Sequence, residues 1–145
     1  MFKKILVPVD GSQTSWKALE TGKSLAEKYD GVLVVITVML PYGAGGLLQM
    51  SLDQTLIDQN NAAMKKAGFA TLELAKEKFS GYKGEVEYVE ETGNPAELIL
   101  DACKSKGCDT IVIGSRGLSG VEEFLLGSVS SKVSQYAKVP VMVVK

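Results

Sequence analysis

The sequence predicts an α/β fold, a three-layer αβα sandwich on a five-stranded parallel sheet, and three observations carry that prediction. Five short apolar runs recur along the 145 residues: "KILVPV" (4–9), "VLVVITVM" (32–39), "EVEYVE" (85–90), "TIVIG" (110–114) and "VPVMVV" (139–144). The first, second, fourth and fifth are nearly continuous and rich in Val and Ile. Such runs read as strands covered on both faces, whereas the third alternates and reads as less buried. Between the runs lie segments of helical composition, and strand alternating with helix calls for right-handed βαβ crossovers.

The elements follow in order. Residues 13–29 place Trp16, Leu19, Lys23, Ala26 and Lys28 among good helix formers, with Trp16 and Tyr29 expected to pack. Residues 52–79 repeat Leu56, Ala63, Ala67, Ala70 and Leu74 near helical spacing, and Gly68 weakens the middle of that segment. Residues 95–105 form a third helix that opens with a mechanism: Asn94 as cap, Pro95 in the first turn and Glu97 near the positive end. Residues 128–137 carry Val129, Val133 and Tyr136. The segment "PYGAGGLLQM" (41–50) reads as a loop, either a solvated connection or a lid.

Composition bounds the function. The length suits a single domain, 1–145, able to bury a core without disulfides or metals. A net charge of −1 with dispersed lysines offers no bulk field for nucleic acid or an acidic membrane. No run reaches the roughly 18 apolar residues of a membrane span, and "ILVPV" is too short for a signal-peptide core, so a cytoplasmic protein is expected. The chain has no histidine, which removes Ser-His-Asp and Cys-His catalysis and His-ligated zinc. Cys103 and Cys108 read as inert or helix-face thiols. No metal site and no catalytic constellation stands out.

Two strand ends carry ligand-friendly chemistry. In an open parallel sheet, ligands bind beyond the carboxyl ends of strands where the chain leaves in opposite directions. Pro8-Val9-Asp10-Gly11-Ser12 follows the first strand. After the fourth come Gly114, then Gly117 with two residues between, then Gly127-Ser128 with nine residues between, Gly120 among them. The spacing is neither GxGxxG nor GxxxxGK(S/T). The physics is shared with both: glycines allow close backbone approach, and the free N–H groups opening the last helix suit a phosphate. Ser128 and Ser130 would add hydroxyl donors. The competing reading is turn glycines with Ser128 as a plain helix cap. Gly117 is expected in a left-handed backbone, Arg116 faces either phosphates or solvent, and Asp10 either supports the first helix or binds a ribose hydroxyl. Glu122 and Glu123 would repel anions and are expected to face solvent.

The pattern G-x2-G-x9-G-S/T after a hydrophobic strand, with "ILVPVDGS" at the start, "GNPAELIL" (93–100) before the third helix and "PVMVVK" at the end, resembles the universal stress protein family over essentially the whole chain. The resemblance implies a Rossmann-like, doubly wound sheet of strand order 3-2-1-4-5 and a homodimer formed through the C-terminal strand (139–144). The retained glycines are similar to those of the ATP-binding branch. By motif position, Pro8 and Asp10 would line the ribose and adenine side, and Val38 would meet adenine through its backbone. Gly114, Gly117, Gly127, Ser128, Val129 and Ser130 would hold the phosphates, with Arg116 inside the motif at a position the pattern does not fix. The ligand implied is ATP, with Mg²⁺ arriving on the triphosphate. With no P-loop lysine and no histidine, the site suits a stress-response regulator or sensor with little or no hydrolysis. A slow ATPase or adenylyl-transfer enzyme, and a protein-interaction module without nucleotide, are the alternatives.

Overall fold

The computed structural model describes residues 1–41, 53–117 and 126–145. The elements are β1 (Lys4–Pro8), α1 (Gln13–Tyr29), β2 (Val32–Met39), α2 (Gln54–Lys78), β3 (Val86–Thr92), α3 (Pro95–Ser105), β4 (Thr110–Gly114), α4 (Ser128–Tyr136) and β5 (Val141–Val144). All pairings are parallel and the strand order is β3-β2-β1-β4-β5.

The central strands read as continuous apolar runs because alternate residues face opposite layers. Ile5 and Val7 of β1 join Leu33 and Val35 of β2 in one cluster, with Leu19 and Ala26 of α1 and Leu72 and Ala75 of α2. Leu6, Val34 and Ile36 face the other way, joining Ile99 and Ala102 of α3 and Val133 of α4. The middles of β1, β2 and β4 are therefore covered on both faces, and the buried polar residue Thr110 at the start of β4 is satisfied by donating its hydroxyl to Asp109 Oδ1.

Particular elements depart from expectation. β5 is covered only in part: Val141 and Val143 pack on one core cluster and Val144 on the other, but Met142 is 37% exposed, and the strand is an edge paired only with β4. Its ladder begins after Pro140, which has no N–H to donate and contributes its carbonyl, accepting from Ile111 N–H. β3, the opposite edge, is half-buried at first and exposed at its end. Tyr29 is 39% exposed, its ring 5.0 Å from that of Phe2, while Trp16 does pack against the core. Gly68 does not interrupt α2. It is buried there because a Cβ at this position would collide with the Met39 thioether, so the glycine lets the helix approach β2.

Helix starts are chemically specified in three cases. Ser12 caps α1 by accepting from Ser15 N–H, Asp53 caps α2 by accepting from Thr55 N–H, and Asn94 caps α3 by accepting from Glu97 N–H. Cys103 and Cys108 are buried and unpaired, and burial pushes the Cys108 thiol up to about 12, so neither is a thiolate at neutral pH. Among the described residues no helix is long and apolar enough to cross a membrane, and no cluster of three metal-ligating side chains occurs.

Candidate functional site

From β1 the chain leaves through α1 toward β2. From β4 it leaves through α4 toward β5, on the other face of the sheet. The carboxyl ends of β1 and β4, adjacent in the sheet, therefore open a crevice. A cavity of about 710 Å³ lies there. Pro8 and Asp10 line it from the end of β1, Val38 from the end of β2, Gly114, Arg116 and Gly117 from the exit of β4, and Gly127, Ser128, Val129 and Ser130 from the start of α4. All ten residues singled out in the sequence meet at one cleft.

Its two walls differ in chemistry. The β4–α4 wall sets glycines, serines and Arg116 beside Ile113, Leu126 and Val129, whereas Ile36, Leu40, Met64 and Ile99 make the wall from β2, α2 and α3 apolar. Those four were not foreseen. Ile36 was readable from its parity with Val38 on β2, but Met64 reaches the cleft only through the packing of α2. Among the described lining residues, Asp10 and Arg116 carry the only charges.

The start of α4 differs from the other three helices. Its cap is Gly127, with no side-chain hydrogen bond, so Ser128 is the first helical residue and not the cap. Gly127 N–H donates to the Ser115 carbonyl at 2.7 Å, and the first intrahelical bond runs from Ser131 N–H to the Gly127 carbonyl. The N–H groups of Ser128, Val129 and Ser130 belong to the first turn, where an α-helix supplies no i−4 acceptor, and they carry its positive dipole end. The Ser130 hydroxyl, expected as a ligand donor, is buried and donates to the carbonyls of Ser115 (2.9 Å) and Gly127 (3.0 Å). That residue retains only its main-chain N–H for a ligand. The exposed Ser128 hydroxyl carries no such commitment.

The glycines divide by cause. A Cβ on Gly114 would lie 2.8 Å from the Thr14 backbone, so this glycine answers to the close approach of α1. A Cβ on Gly117 would lie 2.9 Å from Asp10 Oδ2. Gly117 is not left-handed, contrary to expectation: the positive-φ glycines among the described residues are Gly11, Gly81, Gly93 and Gly107. Gly120, Glu122, Glu123 and nearly all of the 41–50 loop lie outside the described residues.

Asp10 supports α1 indirectly, its Oδ1 accepting from Ser12 N–H at 2.9 Å while Ser12 itself caps the helix. On β2, Val9 N–H donates to the Ile36 carbonyl and Gly93 N–H to the Met39 carbonyl. Main-chain groups alternate sides along a strand, so Val38 faces the β1 side, like Ile36. Pairing with β1 ends at Pro8 opposite Ile36. The Val38 N–H and C=O therefore point past the end of β1, where Val38 lines the cleft.

A crossed-over parallel sheet with a cleft at its switch point defines a doubly wound α/β protein. The model of the universal stress protein family matches residues 1–145, and the chain belongs to that family. It is 39% identical over 150 residues to universal stress protein YxiE of Bacillus subtilis, covering 100% of both chains. The solved structure of MJ0577, from Methanocaldococcus jannaschii, superposes with a TM-score of 0.86 at 26% identity, covering 100% of this chain and 96% of that one. Family structures solved in complex with cAMP (TM-score 0.71, 23% identity, covering 99% and 97%) and, from Arabidopsis thaliana, with AMP bound (0.69, 21%, covering 99% and 91%) share the fold.

Proposed function

We propose that the cleft binds an adenine nucleotide, ATP carrying Mg²⁺, and that the protein serves in the cytoplasm as a stress-response regulator with little or no hydrolysis. The observation that carries this reading is the uncapped first turn of α4, whose N–H groups open onto the cleft. A helix start left without a side-chain cap favours an anion, and three neighbouring donors match the oxygens of a phosphate chain. The opposite wall supports a base: it is apolar, and Val38 presents an N–H beside a C=O, the complement of adenine N1 and N6. Asp10 Oδ2 is available to a ribose hydroxyl or to the Mg²⁺ that neutralises the phosphates. The AMP and cAMP complexes of relatives support the ligand class.

Hydrolysis would require a group that activates or orients water. Asp10 is the one carboxylate among the described lining residues, and its Oδ1 is engaged by Ser12 N–H. Binding without rapid turnover is what such a cleft does. Denaturing the purified protein and identifying the released small molecule by mass spectrometry, with calorimetric titration of ATP, tests the reading. Absence of adenine nucleotide together with no heat of ATP binding would overturn it.

The exposed edge of β5 supports a second element of the proposal, a homodimer joined through residues 139–144. Light scattering that finds only monomer at micromolar concentration would remove it.

A further inference from the structure

Thr14 lies in the first turn of α1 and is 9% exposed. Its hydroxyl donates to the Arg116 carbonyl at 2.6 Å, and the Ser12 hydroxyl lies 3.4 Å from the same oxygen. These bonds tie α1 to the exit of β4, which lines the cleft. We propose that Thr14 is a positioning residue for the phosphate end of the cleft: by holding the Arg116 carbonyl against α1, it turns the Gly117 N–H toward the nucleotide.

The argument rests on peptide geometry. The Arg116–Gly117 bond is trans, as no cis peptide occurs among the described residues. In a planar trans peptide the C=O and the following N–H point in opposite directions. With the carbonyl turned onto Thr14, the Gly117 N–H is turned away from α1. The Gly117 nitrogen lies 3.6 Å from where a Cβ of Gly127 would stand, beside the start of α4. No described residue accepts from it. A fourth main-chain donor thus joins those of Ser128, Val129 and Ser130. Peptides next to glycine flip readily because glycine tolerates both orientations, so something must hold this one. The space for that hold comes from Gly114, where a Cβ would stand 2.8 Å from Thr14 Oγ1. On this account the first motif glycine contributes to binding by leaving room for Thr14.

The proposal rests on the nucleotide reading above, and its test separates the two. Thr14→Val keeps the shape and removes the hydroxyl, and Thr14→Ser restores it. Loss of one neutral hydrogen bond predicts that Thr14→Val weakens ATP binding about threefold to tenfold, with Thr14→Ser near wild type. Adenosine, which has no phosphate, should bind wild type and Thr14→Val alike, and the Gly117 amide resonance should shift with ATP in wild type only. Should Thr14→Val fail to fold, Thr14→Ala takes its place. Unchanged ATP affinity in a folded variant, or an equal loss for ATP and adenosine, overturns the positioning role. Failure of the wild type to bind ATP instead overturns the nucleotide reading.

Discussion

A side chain on Gly117 would begin 2.9 Å from Oδ2 of Asp10, so a methyl group there would meet the Asp10 carboxylate that reaches across from the end of β1 to the β4 exit. Gly117→Val should therefore push aside the Asp10 carboxylate, an exposed side chain that can swing away at little cost to the fold, and crowd the cleft. ATP affinity should fall at least about tenfold. Gly117 is exposed, so the melting temperature without ligand should stay close to wild type. Full ATP affinity in this variant would argue against the cleft as the nucleotide site.

The direction of the Val38 main chain predicts base selectivity. Adenine offers N6 as donor and N1 as acceptor, whereas guanine presents O6 as acceptor and N1–H as donor, the reverse of what Val38 matches. Competition titrations should show ATP preferred over GTP by more than about tenfold, the cost of leaving buried polar groups mispaired. Equal affinities would mean that the base is held elsewhere.

Gly22 sets helix propensity against packing. Replacing a mid-helix glycine by alanine ordinarily gains about 1 kcal/mol. A Cβ here would stand 2.6 Å from Cγ2 of Val7, a fully buried β-branched residue with little freedom to yield. Gly22→Ala should destabilise by about 1 kcal/mol or more, lowering the melting temperature by several degrees. A rise on thermal denaturation would show that α1 can slide.

At the amino end of the sheet, Glu87 of β3 accepts from Lys4 Nζ at 2.6 Å and Lys106 Nζ at 3.1 Å. Hydrogen bonding from Lys4, then from Lys106, holds its carboxyl below the usual value of 4.5. A depressed carboxylate contributes stability that is present in full above the unfolded value and lost as pH falls through the folded one. The side chains are 27–41% exposed, which limits the network to about 0.5–1 kcal/mol. Melting temperature should decline as pH falls below 4.5, and Glu87→Gln should remove part of that decline while lowering stability at neutral pH. An identical pH profile in the variant would show that the pairs contribute nothing.

Much of the fold was legible because burial on both faces of a strand leaves a local trace. β2 and β4 match their apolar runs residue for residue, and the Asn94-Pro95 start of α3 is present as read. The edge position of β5 agrees with the expected strand order, but its coverage is less complete than its Val-rich run implies, because such a run looks the same at the centre and at the edge of a sheet. Gly68 looked like a weakness because the Met39 that needs its space lies 29 residues away in the chain.

The candidate residues were legible in the same measure, but their causes were not. Spacing marked Gly114, Gly117 and Gly127 alike, yet one answers to Thr14, one to Asp10, and one caps a helix with no side chain to offer. Ser130 read as a donor until its hydroxyl was found turned to Ser115.

By itself the sequence determined the strand and helix order, the absence of imidazole chemistry, and the positions at which backbone without side chains would gather. These depend on residue type and on neighbours a few positions apart. Only the tertiary structure decided which groups face the cleft, that Val38 points past the end of β1, and that Thr14 holds the Arg116 peptide. Those outcomes are set by where strands end beside one another and by hydrogen bonds between residues about a hundred positions apart. Such distances leave no periodic mark on the chain.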